Sequence, residues 1–140
     1  MMRTPHYVRL AQIDEQRFIA GCRHGLIHLT WRRNTIRFSH HEFRHLGNLL
    51  ERTASKMPPH PLRDGEFQAT FRRDDQCELR IGPLVMLLSS QEFEQLARAA
   101  REAIQRLDDI LESGAWDREE PEEPTTSFLE RLYRNPFSPN

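Results

Sequence analysis

Histidine is concentrated in one short stretch of this chain. Five of the seven histidines lie between residues 24 and 45. His41 and His45 are four residues apart, so on a helix both imidazoles would share a face, a spacing that suits two ligands of one metal ion. His24 and His28 would share one face of a strand. These four histidines are therefore candidate ligands of a transition metal or a haem.

Recognisable catalytic motifs are absent from the sequence. It contains no G-x-S-x-G motif, no HExxH motif and no glycine-rich phosphate loop. Two carboxylate pairs occur, but Asp74–Asp75 lies in a predicted hairpin turn and Asp108–Asp109 on a predicted helix exterior. The sequence therefore names no catalytic residue and favours a protein that is not an enzyme.

The elements that position these residues follow a pattern that recurs after fifty residues. Identical pairs in this register include Leu29/Leu79, Ser39/Ser89, Glu42/Glu92, Phe43/Phe93 and Leu46/Leu96. Alternating apolar residues predict three short strands in each copy, and a Ser-x-x-Glu capping box predicts the helix that follows them. The predicted strands are 18–22, 26–32 and 35–38, then 66–73, 76–81 and 84–88.

We therefore predict an α+β fold that arises by internal duplication of a β-β-β-α unit. The two repeats span about 16–56 and 65–112, and an antiparallel sheet or a closed barrel-like sheet packs against two helices. Residues 1–114 form a single domain in this prediction.

The sequence changes character after residue 114. Residues 115–124 are rich in Glu and Pro and predict a flexible acidic linker. Residues 125–140 predict an amphipathic segment with a short C-terminal helix, which carries Phe128, Leu132 and Tyr133 on one side. This segment either folds back onto its own domain or docks on a partner.

The second repeat differs from the first at the histidines. Every counterpart of the four candidate ligands is polar, which predicts that these positions face solvent. The counterparts are Asp74, Glu78, Gln91 and Gln95. Solvated histidines on an exposed face are therefore the alternative to a ligand cluster.

The second repeat also carries surplus apolar residues. Val85 and Leu87 replace Thr35 and Arg37 on the outer face of a strand, and the long helix has a second apolar stripe. Surface of this kind is usually buried by another part of the chain or by another subunit. The predicted interface residues are Val85, Leu87, Ala103 and Ile110, with Phe128, Leu132 and Tyr133 on the tail.

Composition restricts the partners and the compartment. The net charge of −1 provides no overall field for nucleic acid or an anionic membrane. An arginine-rich sheet face, with Arg32, Arg33 and Arg37 near Trp31, is the less favoured option of nucleic-acid binding. Two distant cysteines indicate a reducing cytoplasm, and no apolar run approaches the ~20 residues of a membrane span.

Taken together, these patterns predict a small cytoplasmic binding or regulatory module of bacterial type. It acts without catalysis, through protein–protein interaction, as a homodimer or with another protein. The alternative is a metal- or haem-binding protein that uses His24, His28, His41 and His45.

Overall fold

The computed structural model describes residues 7–23, 25–56, 60–72 and 75–116. The first half of the chain forms β1 (Tyr7–Asp14), β2 (Arg17–Cys22), β3 (Leu26–Trp31), β4 (Asn34–Ser39) and α1 (His40–Lys56). The second half forms β5 (Leu62–Asp64), β6 (Phe67–Phe71), β7 (Gln76–Ile81), β8 (Leu84–Ser89) and α2 (Ser90–Ser113). The fold is α+β, and the order of four strands and a helix occurs twice.

The strands form two antiparallel sheets, in the orders β1-β2-β3-β4 and β5-β6-β7-β8. The prediction of one sheet with three strands per repeat therefore needs correction, because β1 and β5 were not expected. In β1, two register shifts against β2 interrupt the apolar–polar alternation that reveals a strand in sequence. In β5, only three residues pair with β6, too few for a periodic pattern.

The chain divides into two compact units whose boundaries lie inside the helices. One unit is Arg44–Arg98, which contains most of α1, the β5–β8 sheet and the start of α2. The other contains the β1–β4 sheet, the first turn of α1 and α2 from Ala99 onwards. Each unit therefore combines one sheet with helical segments from both predicted repeats.

Both helices begin with the predicted capping boxes. The Ser39 Oγ accepts a hydrogen bond from the Glu42 amide at 3.1 Å, and the Glu42 carboxylate accepts one from the Ser39 amide at 2.7 Å. Ser89 and Glu92 form the same pair of bonds at 3.1 and 3.2 Å. Each box satisfies amides that a helix start leaves unpaired, so it fixes where β4 and β8 give way to a helix.

In each sheet, one face is buried in the core of its unit. Trp31 is buried on the inner face of β3, as its alternation with polar residues predicts. The buried inner-face residues of the first sheet include Ile19, Ile27, Leu29, Ile36 and Phe38, and those of the second include Phe67, Ala69, Leu79, Ile81, Met86 and Leu88. No helix among the described residues is long and apolar enough to cross a membrane.

Ala103, which the sequence predicts at an interface, is buried on α2. Its side chain is fully buried, Leu107 is fully buried four residues further on, and Ala99 is 5% exposed four residues before it. Residues at this spacing share one face of a helix, so Ala103 continues the inward stripe of α2. Ile110 stays partly exposed.

Trp116 packs onto the first sheet beyond the end of α2. The helix ends before Gly114, whose positive φ of 75° suits the residue that follows a helix. The indole of Trp116 is buried, and a Cβ added at Gly21 would lie 3.0 Å from it and 3.1 Å from Leu10. Glycine at position 21 therefore makes room for the ring. Residues 115 and 116, the first two of the predicted linker, are among the described residues.

Candidate functional site

Strand β8 lies at the edge of its sheet and carries two exposed apolar side chains. It pairs with β7 and is the last strand in the sheet order. Val85 is 44% exposed and Leu87 is 53% exposed, whereas Met86 and Leu88 are buried. This alternation is that of a half-buried strand, so Val85 and Leu87 lie on the outer face that the sequence predicts for them.

Strand β8 lacks the features that usually protect an edge strand. Natural edge strands carry charges, proline or bulges, or are very short. Strand β1 contains Arg9 and two register shifts, β4 contains Arg37, and β5 has three residues that include Arg63. Strand β8 has no charge and no proline. Among the described sheet edges, it is the one without such protection.

Glu78 lies beside Leu87 and is held by two arginines. Cross-strand pairing sets Glu78 opposite Leu87 and Arg80 opposite Val85, so all four share the outer face. The Glu78 carboxylate accepts one hydrogen bond from Arg72 Nη2 and another, of 3.0 Å, from Arg80 Nε. Its side chain is only 11% exposed.

These hydrogen bonds also fix the charge state of the group. The bond from Arg72, and then the bond from Arg80, hold the pKa of Glu78 below its usual range. Glu78 is therefore a carboxylate at neutral pH. The apolar pair Val85 and Leu87 is bordered by fixed, paired charges, which resembles the apolar centre and polar rim of a protein interface.

The outer face of the first sheet has a different character, which is basic and aromatic. The Arg9 guanidinium lies 3.6 Å from the centroid of the Phe18 ring. Tyr7 meets His28 edge to face with ring centroids 5.3 Å apart. None of the described residues that share this face by strand pairing is acidic. The face therefore joins aromatic rings, of which Tyr7 is exposed, with positive charge.

His28 is neutral on this face at physiological pH. Burial, and then the positive charge of Arg37 opposite it on β4, lower the pKa of His28 below its ordinary value. A neutral imidazole keeps one nitrogen able to accept a hydrogen bond or bind a metal.

The described histidines do not assemble into a metal site. No group of three or more His, Cys, Asp or Glu side chains suited to a metal ion occurs in the described part of the chain. His28 lies on β3, whereas His41 and His45 lie on α1. His24 lies outside the described residues, so the four-histidine site stays a prediction.

His45 makes a contact that the sequence did not reveal. Its Nδ1 lies 3.0 Å from an Asp64 carboxylate oxygen, Asn48 donates to the other oxygen at 3.4 Å, and Arg52 approaches it at 3.5 Å. The three helix residues lie on one side of α1, and Asp64 ends β5. This cluster attaches the short strand β5 to the helix, which is a structural role.

The remaining predicted interface residues, Phe128, Leu132 and Tyr133, lie outside the described residues. Comparison of the chain with protein families, with curated proteins and with solved structures gives no match. The function is therefore inferred from the surfaces of the molecule itself.

Proposed function

We propose that this protein is a non-catalytic binding module that recognises another protein chain through the edge of β8. The observation that carries the proposal is the exposure of Val85 and Leu87 on a sheet edge that has neither charge nor proline. We place the module in the cytoplasm because its two cysteines, Cys22 and Cys77, are free thiols, as a reducing compartment favours.

Two sources of affinity come together in β8. Alternate residues of an edge strand direct their N–H and C=O groups away from the sheet, where an added strand would bind them. The same added strand would cover Val85 and Leu87, which contribute the apolar part of the contact. Main-chain pairing supports the affinity, and the two side chains support the choice of partner.

Site-specific photocrosslinking in the native host tests this proposal. A photoreactive residue at position 85 is expected to give adducts with another polypeptide, because Val85 is exposed at the proposed contact. The matched control places the same residue at position 63, on the opposite edge strand of that sheet. The additional change Leu87→Lys is expected to remove the adducts from position 85. Equal adducts from positions 85 and 63, or none from 85, would refute the proposal.

A second candidate function, binding of single-stranded nucleic acid, is supported by the outer face of the first sheet. Proteins of that kind combine positive charge with rings on which bases stack. Arg9, Arg37 and the 60%-exposed Tyr7 supply both features. Fluorescence anisotropy with labelled single strands at low salt tests it, and binding should weaken steeply with salt. An Arg9→Gln variant that binds as well as the natural protein would contradict this assignment.

A further inference from the structure

We infer that the chain which pairs with β8 is a second copy of this protein, aligned antiparallel with Val85 of one copy opposite Leu87 of the other. The inference rests on the proposed function and adds the identity of the partner and the register of pairing. It follows from the charge pattern of the sheet edges, the alternation of side chains and the length of the strand.

Charge favours β8 as the edge that pairs with its own copy. When a strand pairs with itself about a two-fold axis, a charged residue near that axis lies opposite or diagonal to the same charge in the other copy, which is unfavourable. Self-pairing of β1 or β4 would bring Arg9 or Arg37 into such a position. Strand β8 has no charged side chain between Leu84 and Ser89. Of the longer described edges, it is the one that avoids this repulsion.

Side-chain alternation restricts the register of the pair. A two-fold axis perpendicular to the sheet keeps both outer faces on one side, so outward residues must oppose outward residues. Setting Met86 opposite its own copy places Val85 against Leu87 twice, and all four exposed apolar side chains cover one another. The neighbouring permitted register, centred on Leu87, would oppose Val85 with Ser89 and cover less apolar surface.

The charged residues next to β8 are compatible with this register. Arg80 stands opposite Val85 on β7, and Glu78 stands opposite Leu87. Each row of outer-face residues across the paired strands therefore runs from Arg80 of one copy, through Val85 and Leu87, to Glu78 of the other. Opposite charges lie at the two ends of both rows, about 14 Å apart at ~4.8 Å per strand, so no row brings like charges together.

The length of the strand sets the strength of the dimer. A strand of six residues is only ~20 Å long. The contact that it can form is smaller than the roughly 800 Å² per partner of a standard stable interface. We therefore expect a reversible dimer, with a dissociation constant on the order of micromolar or weaker.

Disulfide cross-linking between two different variants tests the register. In the inferred dimer, positions 85 and 87 of different copies lie directly opposite, with Cα atoms about 4.5–5.5 Å apart, which a disulfide spans. Position 85 and its own copy lie diagonally, roughly 7–8 Å apart, which a disulfide does not span without backbone movement. The native thiols Cys22 and Cys77 are buried and should not compete.

The full-length Val85→Cys and Leu87→Cys proteins are oxidised separately and as an equal mixture. The mixture is expected to give at least about fivefold more disulfide dimer than either variant alone, because only it presents opposite pairs. An Arg63→Cys protein mixed with Val85→Cys is the control and should give none. Equal dimer yields from Val85→Cys alone and from the mixture would overturn the register.

Sedimentation or light scattering over a range of concentrations tests the partner. The natural protein is expected to pass from monomer to dimer, and the Leu87→Lys protein to remain a monomer with an unchanged circular dichroism spectrum. A natural protein that stays monomeric throughout would overturn the inference. If the protein is monomeric but position 85 still photocrosslinks to a different protein in the host, the proposed function stands without the inferred dimer. An adduct formed within one chain would contradict both.

Discussion

Truncation of two neighbouring leucines tests whether β8 is buried on one face only. Leu87 is 53% exposed and Leu88 is 1% exposed, although they are adjacent and chemically identical. Leu88→Ala removes fully buried carbons and leaves a cavity, which costs about 2–5 kcal/mol of unfolding free energy. Complete burial of leucine is worth about 1.5–3 kcal/mol, so the half-buried Leu87 contributes about 1 kcal/mol. We therefore expect Leu88→Ala to be the less stable variant by at least about 1 kcal/mol.

Urea denaturation of both variants at low micromolar concentration measures this difference. The m values should match that of the natural protein, because the surface exposed on unfolding is nearly unchanged. At higher protein concentration the deficit of Leu87→Ala should grow, because association stabilises only the copies that can pair. Equal losses for both variants at the lowest concentration would refute the alternation of β8, and with it the exposed edge on which the proposed function depends.

Three further predictions concern individual strand residues of the two sheets. Gly21→Ala should destabilise the protein by about 1–2 kcal/mol in thermal melts, because crowding against Trp116 outweighs the gain of roughly 0.4–1 kcal/mol from a less flexible unfolded chain. Because Leu10 also lies 3.1 Å from the added carbon, the penalty should become smaller without vanishing in a Trp116→Leu background, and an unchanged penalty there would contradict the packing against Trp116. NMR titration should place the pKa of His28 below about 6.5, and Arg37→Gln should raise it; an unchanged value would exclude the arginine as a cause. Folding lowers the pKa of the Glu78 carboxyl. Its contribution to the free energy of unfolding is therefore complete above the pKa that the group has in the unfolded chain, and it is lost as the pH falls through the lower pKa of the folded protein. Glu78→Gln should therefore reduce the loss of stability below about pH 4.5, as followed by acid titration, and an identical acid profile would contradict the depressed pKa.

Local patterns predicted the features of the fold that depend on neighbouring residues. The capping residues Ser39 and Glu42 are three positions apart, so their contact is fixed by helix geometry alone. The outward placement of Val85 and Leu87 follows from the period of two of a strand. In both cases the interacting groups lie within one element, where spacing determines position.

Features that depend on residues far apart in the chain could not be predicted from sequence patterns. Asp64 meets His45 across nineteen positions, and no periodicity relates them. Trp116 follows the helix next to an acidic stretch, and its burial depends on the space left by Gly21 on another strand. The small size of Ala103 suits an interface as well as a core, so the sequence alone does not distinguish the two.

The two edge strands that lead into a helix, β4 and β8, are similar in pairing but differ in their outer faces. The six cross-strand pairs of β3 with β4 recur at positions fifty residues later in β7 with β8. At the first edge, Thr35 shares a hydrogen bond with Thr30 and Arg37 stands opposite His28, so the outer face is polar and charged. At the second edge, the equivalent positions are Val85 and Leu87. Because a charge on an edge strand disfavours pairing with another strand, Arg37 disfavours such pairing at β4, whereas β8 has no charge at the equivalent position, as the proposed function requires.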